Sequence, residues 1–264
     1  MNRVDKDKIY SHLAHYKDNV LKIKENGIDL RYKKEHAYIL PIALKSKNLI
    51  SSDYEIDLLK CVLNYKNNLH NGFHHLNSSQ ALAFNLFVPL MVEGFSRCIY
   101  QCINEHYDFI AYEFEHIEDK SEYTNFDFFI RGINTNKYFE IKYTEDKFGS
   151  CKNDDEHINK YKNIYKEKLS GIVDISFDEF SSEYQLWRNI IYSRNGVVVF
   201  VYPSFRSDLD ESVLKAISKM NKYKENIKIL HIESLLAKIE VLHNVRITNH
   251  YNEFRRKYLE IERT

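Results

Sequence analysis

The sequence predicts an α/β protein built on a mixed central sheet. Three observations lead there. Helical apolar spacing dominates the first hundred residues, alternating strand-like segments follow between residues 107 and 145, and helical and strand-like stretches then take turns. With 264 residues, 44% of them hydrophobic, the chain can bury a real core as one large domain or two small ones.

Residues 5–25 place Ile9, Leu13, Tyr16, Val20 and Leu21 at helical spacing and stop near Gly27. DYEIDLLKCVLNYKNNL (53–69) reads as a second helix. The strongest helical signal is NSSQALAFNLFVPLMVEGFSRCIYQCINEHY (77–107). Asn77, Ser78 or Ser79 can cap it, its apolar residues run almost all round, and Pro89 is expected to kink or break it. YDFIAYEFEHI, NFDFFIRGI and KYFEIKYTE then alternate polar with aromatic or β-branched residues, as strands do. GINTN between the last two predicts a hairpin. Residues 155–169 and 178–194 are helical in period, VVVFVYP is a strand of the kind buried on both faces, 209–222 is helical, and IKILHI is a further strand before closing helices. Residues 1–77 are expected to be a helical N-terminal elaboration on a core spanning 78–264, the whole forming one compact unit.

Seven Gly and three Pro leave little material for linkers. No apolar run is long enough to span a bilayer, and MNRVDKDKIYSHL has no apolar leader core, so the expected location is cytoplasmic. Cys61, Cys98, Cys102 and Cys151 form no paired CxxC motifs and read as reduced thiols. His70, His74 and His75 could join Cys98 and Cys102 around zinc, but a surface loop is the better reading. Formal net charge is zero, yet unevenly spread: residues 1–50 carry 11 basic and 6 acidic side chains, 108–156 carry 6 and 13, and 204–264 carry 12 and 9. An acidic centre between basic flanks suits a carboxylate metal site in a protein that grips polyanions elsewhere.

The acidic centre holds the candidate site. In YFEIKY, Glu140 and Lys142 share one strand face, with Phe139, Ile141 and Tyr143 on the other. Asp127 lies opposite Phe126 and Phe128. A turn at Asn134-Thr135 pairs Asp127 with Lys142, and a turn at Ile133-Asn134 pairs it with Glu140; either gathers the three on one face. Two adjacent carboxylates repel unless a cation sits between them, and oxygen ligands with water favour Mg²⁺ or Mn²⁺. Such an ion lowers the pKa of bound water, and a neighbouring lysine can orient or deprotonate that water and stabilise transition-state charge. The chemistry is phosphodiester hydrolysis.

Asp127, twelve residues, then Glu140-Ile141-Lys142 resembles the D-x(n)-E-x-K motif of the PD-(D/E)XK nuclease superfamily. The order helix, three strands, helix, strand matches its core. SSQALAFNLFVPL, FEIKYTEDKFG and YQLWRNIIY are similar to bacterial restriction-endonuclease-like proteins of that superfamily, over roughly residues 76–203. The proline that usually precedes the Asp is replaced by Phe126. The resemblance implies a restriction-endonuclease-like core. It implies that Asp127 and Glu140 bind Mg²⁺, with Mn²⁺ able to substitute, that the Ile141 carbonyl is a further ligand, and that Lys142 is the catalytic lysine. Members often add a Glu from the first core helix; Glu93 is that candidate, with Glu113 and Glu115 on the first strand as alternatives and Gln185 at the expected edge of the site. The implied partner is double-stranded DNA, often met by a homodimer, with no membrane role.

Gln80 and Asn85 read as buried hydrogen-bonders, Glu145 as a helix- or loop-stabilising carboxylate, and RYKKEH and RRKYLE as solvated helix faces able to touch phosphate. No Walker A loop, GxSxG or GxGxxG is present. The competing expectation is a non-cleaving nucleic-acid or partner-binding module on the same fold.

Overall fold

A computed structural model describes residues 3–66, 69–122 and 124–261. It divides into two compact units, His106–His231 and Asn2–Glu105 with Ile232–Thr264. The expected boundary at residue 77 falls inside the second unit, which also takes the long helix that follows it and the C-terminal helices.

The first unit is a mixed five-stranded sheet flanked by helices, the α/β architecture of a restriction-endonuclease-like core. Numbered along the chain, its strands are β3 (Phe109–Asp119), β4 (Thr124–Gly132), β5 (Asn136–Ile141), β6 (Gly196–Tyr202) and β7 (Ile227–His231), paired in that order. β3, β4 and β5 form an antiparallel meander. β5, β6 and β7 are parallel. Parallel neighbours need crossovers. Between β5 and β6 run α5 (Asp155–Lys160), a π-helical stretch, α6 (Lys166–Leu169), α7 (Phe177–Ser182) and α8 (Tyr184–Ile190); α9 (Ser207–Lys219) joins β6 to β7. The helix expected over 155–169 runs through without a break, with the π-helical stretch inside it, whereas the one expected over 178–194 is interrupted at Glu183, whose backbone leaves the helical region.

The β4–β5 register pairs Phe128 with Phe139 and Ile130 with Lys137. That is the alternative with Ile133-Asn134 at the turn, and it sets Asp127 across from Glu140. Packing fixes it. A Cβ on Gly132 would lie 2.2 Å from the Thr135 carbonyl oxygen, so only glycine permits the close approach. Asp108 accepts from the amides of Asn134 and Thr135 and pairs with the buried Lys137 ammonium. β6 is buried along its whole length, as its apolar run predicts.

The second unit contains α1 (Arg3–Asn19), the short strands β1 (Gly27–Asp29) and β2 (Lys34–His36), α2 (Glu55–Asn64), α3 (Ser79–Val92), α4 (Arg97–Cys102), α10 (Ile232–Glu240) and α11 (Val245–Tyr258). It is not purely helical: β1 and β2 form an antiparallel hairpin. Asn67 and Asn68, at the end of the second expected helix, lie outside the described residues.

Ser78 caps α3 by accepting from the Ala81 amide, and residues 80–90 of the helix are all buried. Pro89 does not end it; the chain turns at Gly94, whose φ is +71°. The missing proline N–H instead frees the Asn85 carbonyl, which accepts from His250 Nε2 at 2.8 Å. Because Nε2 carries that proton, His250 Nδ1 is an acceptor and takes the Ser52 hydroxyl at 2.8 Å. Asn85 also holds the Ile50 amide, the Asn48 carbonyl and the Tyr258 hydroxyl, and Gln80 accepts from the His70 amide. Both behave as the buried hydrogen-bonders the sequence suggests. No helix among the described residues is long and apolar enough to cross a membrane.

Candidate active site

β5 is the middle strand of the five, and α8 covers one of its faces. On that face the strand presents Glu140, and Lys142 follows one residue past its end, held to β6 by its amide on the Val201 carbonyl at 2.9 Å. Both side chains are buried, Glu140 at 2% and Lys142 at 7% exposure. Their charges meet at 2.8 Å, between Lys142 Nζ and Glu140 Oε1. A solvated strand edge is therefore ruled out for this pair.

α8 supplies two amides. Gln185 and Asn189 are four residues apart and share a helix face. Gln185 donates through Nε2 to Glu140 Oε1 at 2.6 Å and accepts Lys142 Nζ on Oε1 at 2.6 Å. Asn189 donates to Glu140 Oε2 at 3.0 Å. The opposite side of α8 anchors through Leu186, Trp187 and Ile190 in the core. Asn189 was not singled out from sequence; its i+4 spacing from Gln185 was the available signal.

Asp127, half-buried, accepts the Ile141 amide on Oδ2 at 2.7 Å. Burial, then the negative charges of Glu140 and Glu115, hold its carboxyl well above the ordinary carboxylate range, against the opposing pull of Lys142 and the Ile141 amide. Burial also works against the Lys142 ammonium, but Glu140, Glu145 and Asp127 outweigh it and raise its pKa. Lys142 is thus a committed cation.

Glu115 is the third acid. The β3–β4 register pairs Phe114 with Phe128 and His116 with Phe126, which sets Glu115 across from Asp127. Its φ of +51° turns the strand locally, and its side chain is buried and held by Asn125 at 2.6 Å. Glu113 is turned elsewhere, toward His116 and Arg131. Glu93 lies in the other unit, where Tyr54, Arg246 and Asn244 occupy its carboxylate.

The segment after Lys142 is clamped. Glu145 accepts the Tyr143 amide at 2.7 Å, the loop-stabilising role expected of it. Arg206, fully buried, donates to the carbonyls of Tyr143 at 2.5 Å and Glu145 at 2.9 Å and pairs with Asp208 at 2.8 Å. No local motif marks Arg206. Arg206→Ala would leave two carbonyls and Asp208 short of their donor. It is expected to cost about 3 kcal/mol in a denaturant titration, since breaking a buried ion pair costs roughly 3–5 kcal/mol.

Among the described residues, no three His, Cys, Asp or Glu side chains converge as a ready metal cage, which sets aside the zinc cluster of His70, His74, His75, Cys98 and Cys102. Mg²⁺ does not need such a cage, because it is commonly held by one or two carboxylates with water and substrate oxygens. The donor set fits that pattern. Asp127 accepts only the Ile141 amide among the described residues, and Glu140 Oε2 holds a single donor, so each carboxylate keeps lone pairs for a cation.

The mixed sheet and its flanking helices define a restriction-endonuclease-like core. The family model for "restriction endonuclease associating with ARP" matches residues 10–259, and the chain belongs to that family. The match runs well beyond the 76–203 stretch of the sequence resemblance and spans both units. No curated protein and no solved structure matches the chain.

Proposed function

We propose that this chain is a PD-(D/E)XK-type, metal-dependent endonuclease that hydrolyses phosphodiester bonds in double-stranded DNA, in a restriction or defence role. The observation that carries the reading is the burial of Glu140 and Lys142 beside Asp127 in mid-sheet. Charges are costly to bury, and a carboxyl pushed up by burial and neighbouring acids, as Asp127 is, is characteristic of sites that hold a cation or move a proton.

Asp127 and Glu140 would hold Mg²⁺ or Mn²⁺, with the Ile141 carbonyl as a further ligand and Glu115 behind Asp127. When bound, the ion supplies charge neutralisation at a phosphoryl oxygen and a lower pKa for water. Lys142 Nζ, a committed cation, donates to the attacking water or to the phosphoryl oxygen. It orients and stabilises charge and does not start as a base. Gln185 ties Lys142 to Glu140 and fixes the ammonium's direction, while Asn189 fixes the rotamer of Glu140.

A duplex has two strands and each chain one such site, so a double-strand cut suits a homodimer. A DNA substrate fits a cytoplasmic location. The family description supports ARP as an associated component, and assays are best run with and without it.

The test is incubation of purified protein with methylated and unmethylated plasmid and genomic DNA in Mg²⁺, Mn²⁺ or EDTA. Discrete, metal-dependent bands are the expected result. Absence of cutting in every condition, with ARP present, would leave the non-cleaving binding module as the better reading.

A further inference from the structure

The β1–β2 hairpin of the second unit is built like a contact element. Its strands pair Gly27 with His36 and Asp29 with Lys34, leaving Leu30–Lys33 at the tip. The tip is ordered by its own backbone. Asp29 Oδ1 accepts the amides of Arg31 at 2.8 Å and Tyr32 at 3.1 Å, and the Asp29 carbonyl accepts the Lys33 amide at 2.7 Å. These amides pull the Asp29 carboxyl below its ordinary range despite the cost of desolvation.

The base of the hairpin is seated firmly. The Gly27 amide donates to the Ile39 carbonyl, and a Cβ on Gly27 would lie 2.1 Å from the Leu40 carbonyl oxygen. His74 Nε2 donates to the Ile28 carbonyl at 2.9 Å. The buried Lys17 ammonium ties down the preceding turn through the Glu25 carbonyl and Asn26. A solvated loop does not need three buried anchors.

What this scaffold displays is basic and aromatic. Arg31, Lys33 and Lys34 are exposed, and none has an ion-pair partner among the described residues. Tyr32 is 68% exposed, with the Arg31 guanidinium 5.2 Å from its ring centroid. Beside the tip lies a cavity of about 850 Å³ lined by Asp29, Arg31, Tyr32, His70, Asn71 and His75. His75 Nε2 is buried without a hydrogen-bond partner among the described residues. Burial holds His75 at a pKa of about 4, so it faces the cavity as a neutral ring.

We infer that this hairpin is a duplex-DNA contact element, with Arg31, Lys33 and Lys34 on phosphates and Tyr32 directed at base edges. A two-stranded ribbon fits the major groove, and basic side chains on a rigid ribbon fix its register there. Asn71 and the His75 ring beside the tip offer hydrogen-bonding edges to the same partner. The inference rests on the proposed nuclease reading for its choice of DNA, but binding tests it separately from cleavage.

The experiment is fluorescence anisotropy of the full chain with a labelled duplex in Ca²⁺, across a salt series. The R31A/K33A/K34A variant is expected to lower the slope of log K against log salt by about 2–3, because each lost phosphate contact removes about 0.9. Tyr32→Ala is expected to weaken binding by about tenfold with the slope unchanged, the loss of one base-edge contact. All four side chains are exposed, so unchanged thermal melting shows that the fold is kept. Wild-type affinity and slope in the triple variant would overturn the inference, as would no duplex binding by the unaltered chain. Failure of cleavage in Mg²⁺ with ARP present, while hairpin-dependent binding is intact, would sink the nuclease reading alone.

Discussion

Lys142→Met and Glu140→Gln are each expected to reduce metal-dependent DNA cleavage by at least about 10²–10³-fold, the usual loss when one preorganised electrostatic contact to the transition state is removed. These near-isosteric changes suit a buried site better than truncation to alanine. Without Lys142, Glu140 keeps the donors of Gln185 and Asn189; without the Glu140 charge, Lys142 keeps the Gln185 acceptor. Each variant should therefore fold, and circular dichroism melting curves would show it. Cleavage at the wild-type rate by both folded variants would remove the pair from the chemistry. Gln185→Ala and Asn189→Ala are expected to show smaller losses, since these residues position and do not touch the substrate.

Asp127→Asn is expected to abolish cleavage and yet stabilise the metal-free protein. The carboxyl of Asp127 is held above its ordinary range by burial and by Glu140 and Glu115. A carboxyl with a raised native pKa binds its proton more tightly folded than unfolded. Native stability is therefore greatest below about pH 4 for this group and is lost as pH climbs from there through the raised value. The amide cannot ionise, so the variant escapes that loss, and its carbonyl oxygen can still accept the Ile141 amide. The expected gain in EDTA is a higher urea midpoint for the variant, largest at pH 8. It should shrink toward pH 4. In Mg²⁺ the order is expected to reverse, because the wild-type site gains a bound cation and the variant has one carboxylate fewer. Urea titrations at three pH values, with EDTA or Mg²⁺, would measure this. A variant no more stable than wild type in EDTA at pH 8 would mean that the three acids do not strain the fold. Such a trade of stability for a charged site is common where function requires it.

Much of the fold was legible locally. All five core strands and their succession along the chain followed from alternation and apolar runs, because a strand's period of two survives in sequence whatever packs against it. The β1–β2 hairpin was not legible. LRYKKEH has neither the Asn-Gly nor the Asp-Gly turn signal, and Lys33 takes a φ of +52° without being glycine. RYKKEH therefore read as a helix face. That the helix would run past Pro89 to Val92 was not legible either: the carbonyl the proline frees is satisfied by His250, far away in the chain.

By itself, the sequence determined the identity and spacing of Asp127, Glu140 and Lys142, the strands that carry them, and the condition, an even register, under which they share one face. Tertiary structure alone decided the rest. It chose the turn at Ile133-Asn134, put Glu115 and not Glu113 or Glu93 behind Asp127, and brought Asn189 and Arg206 to the site from distant elements. It also buried a face that alternation could only describe as polar. Period and spacing are local properties of a chain, whereas burial, and with it the energy of a charge, depends on what is packed above it.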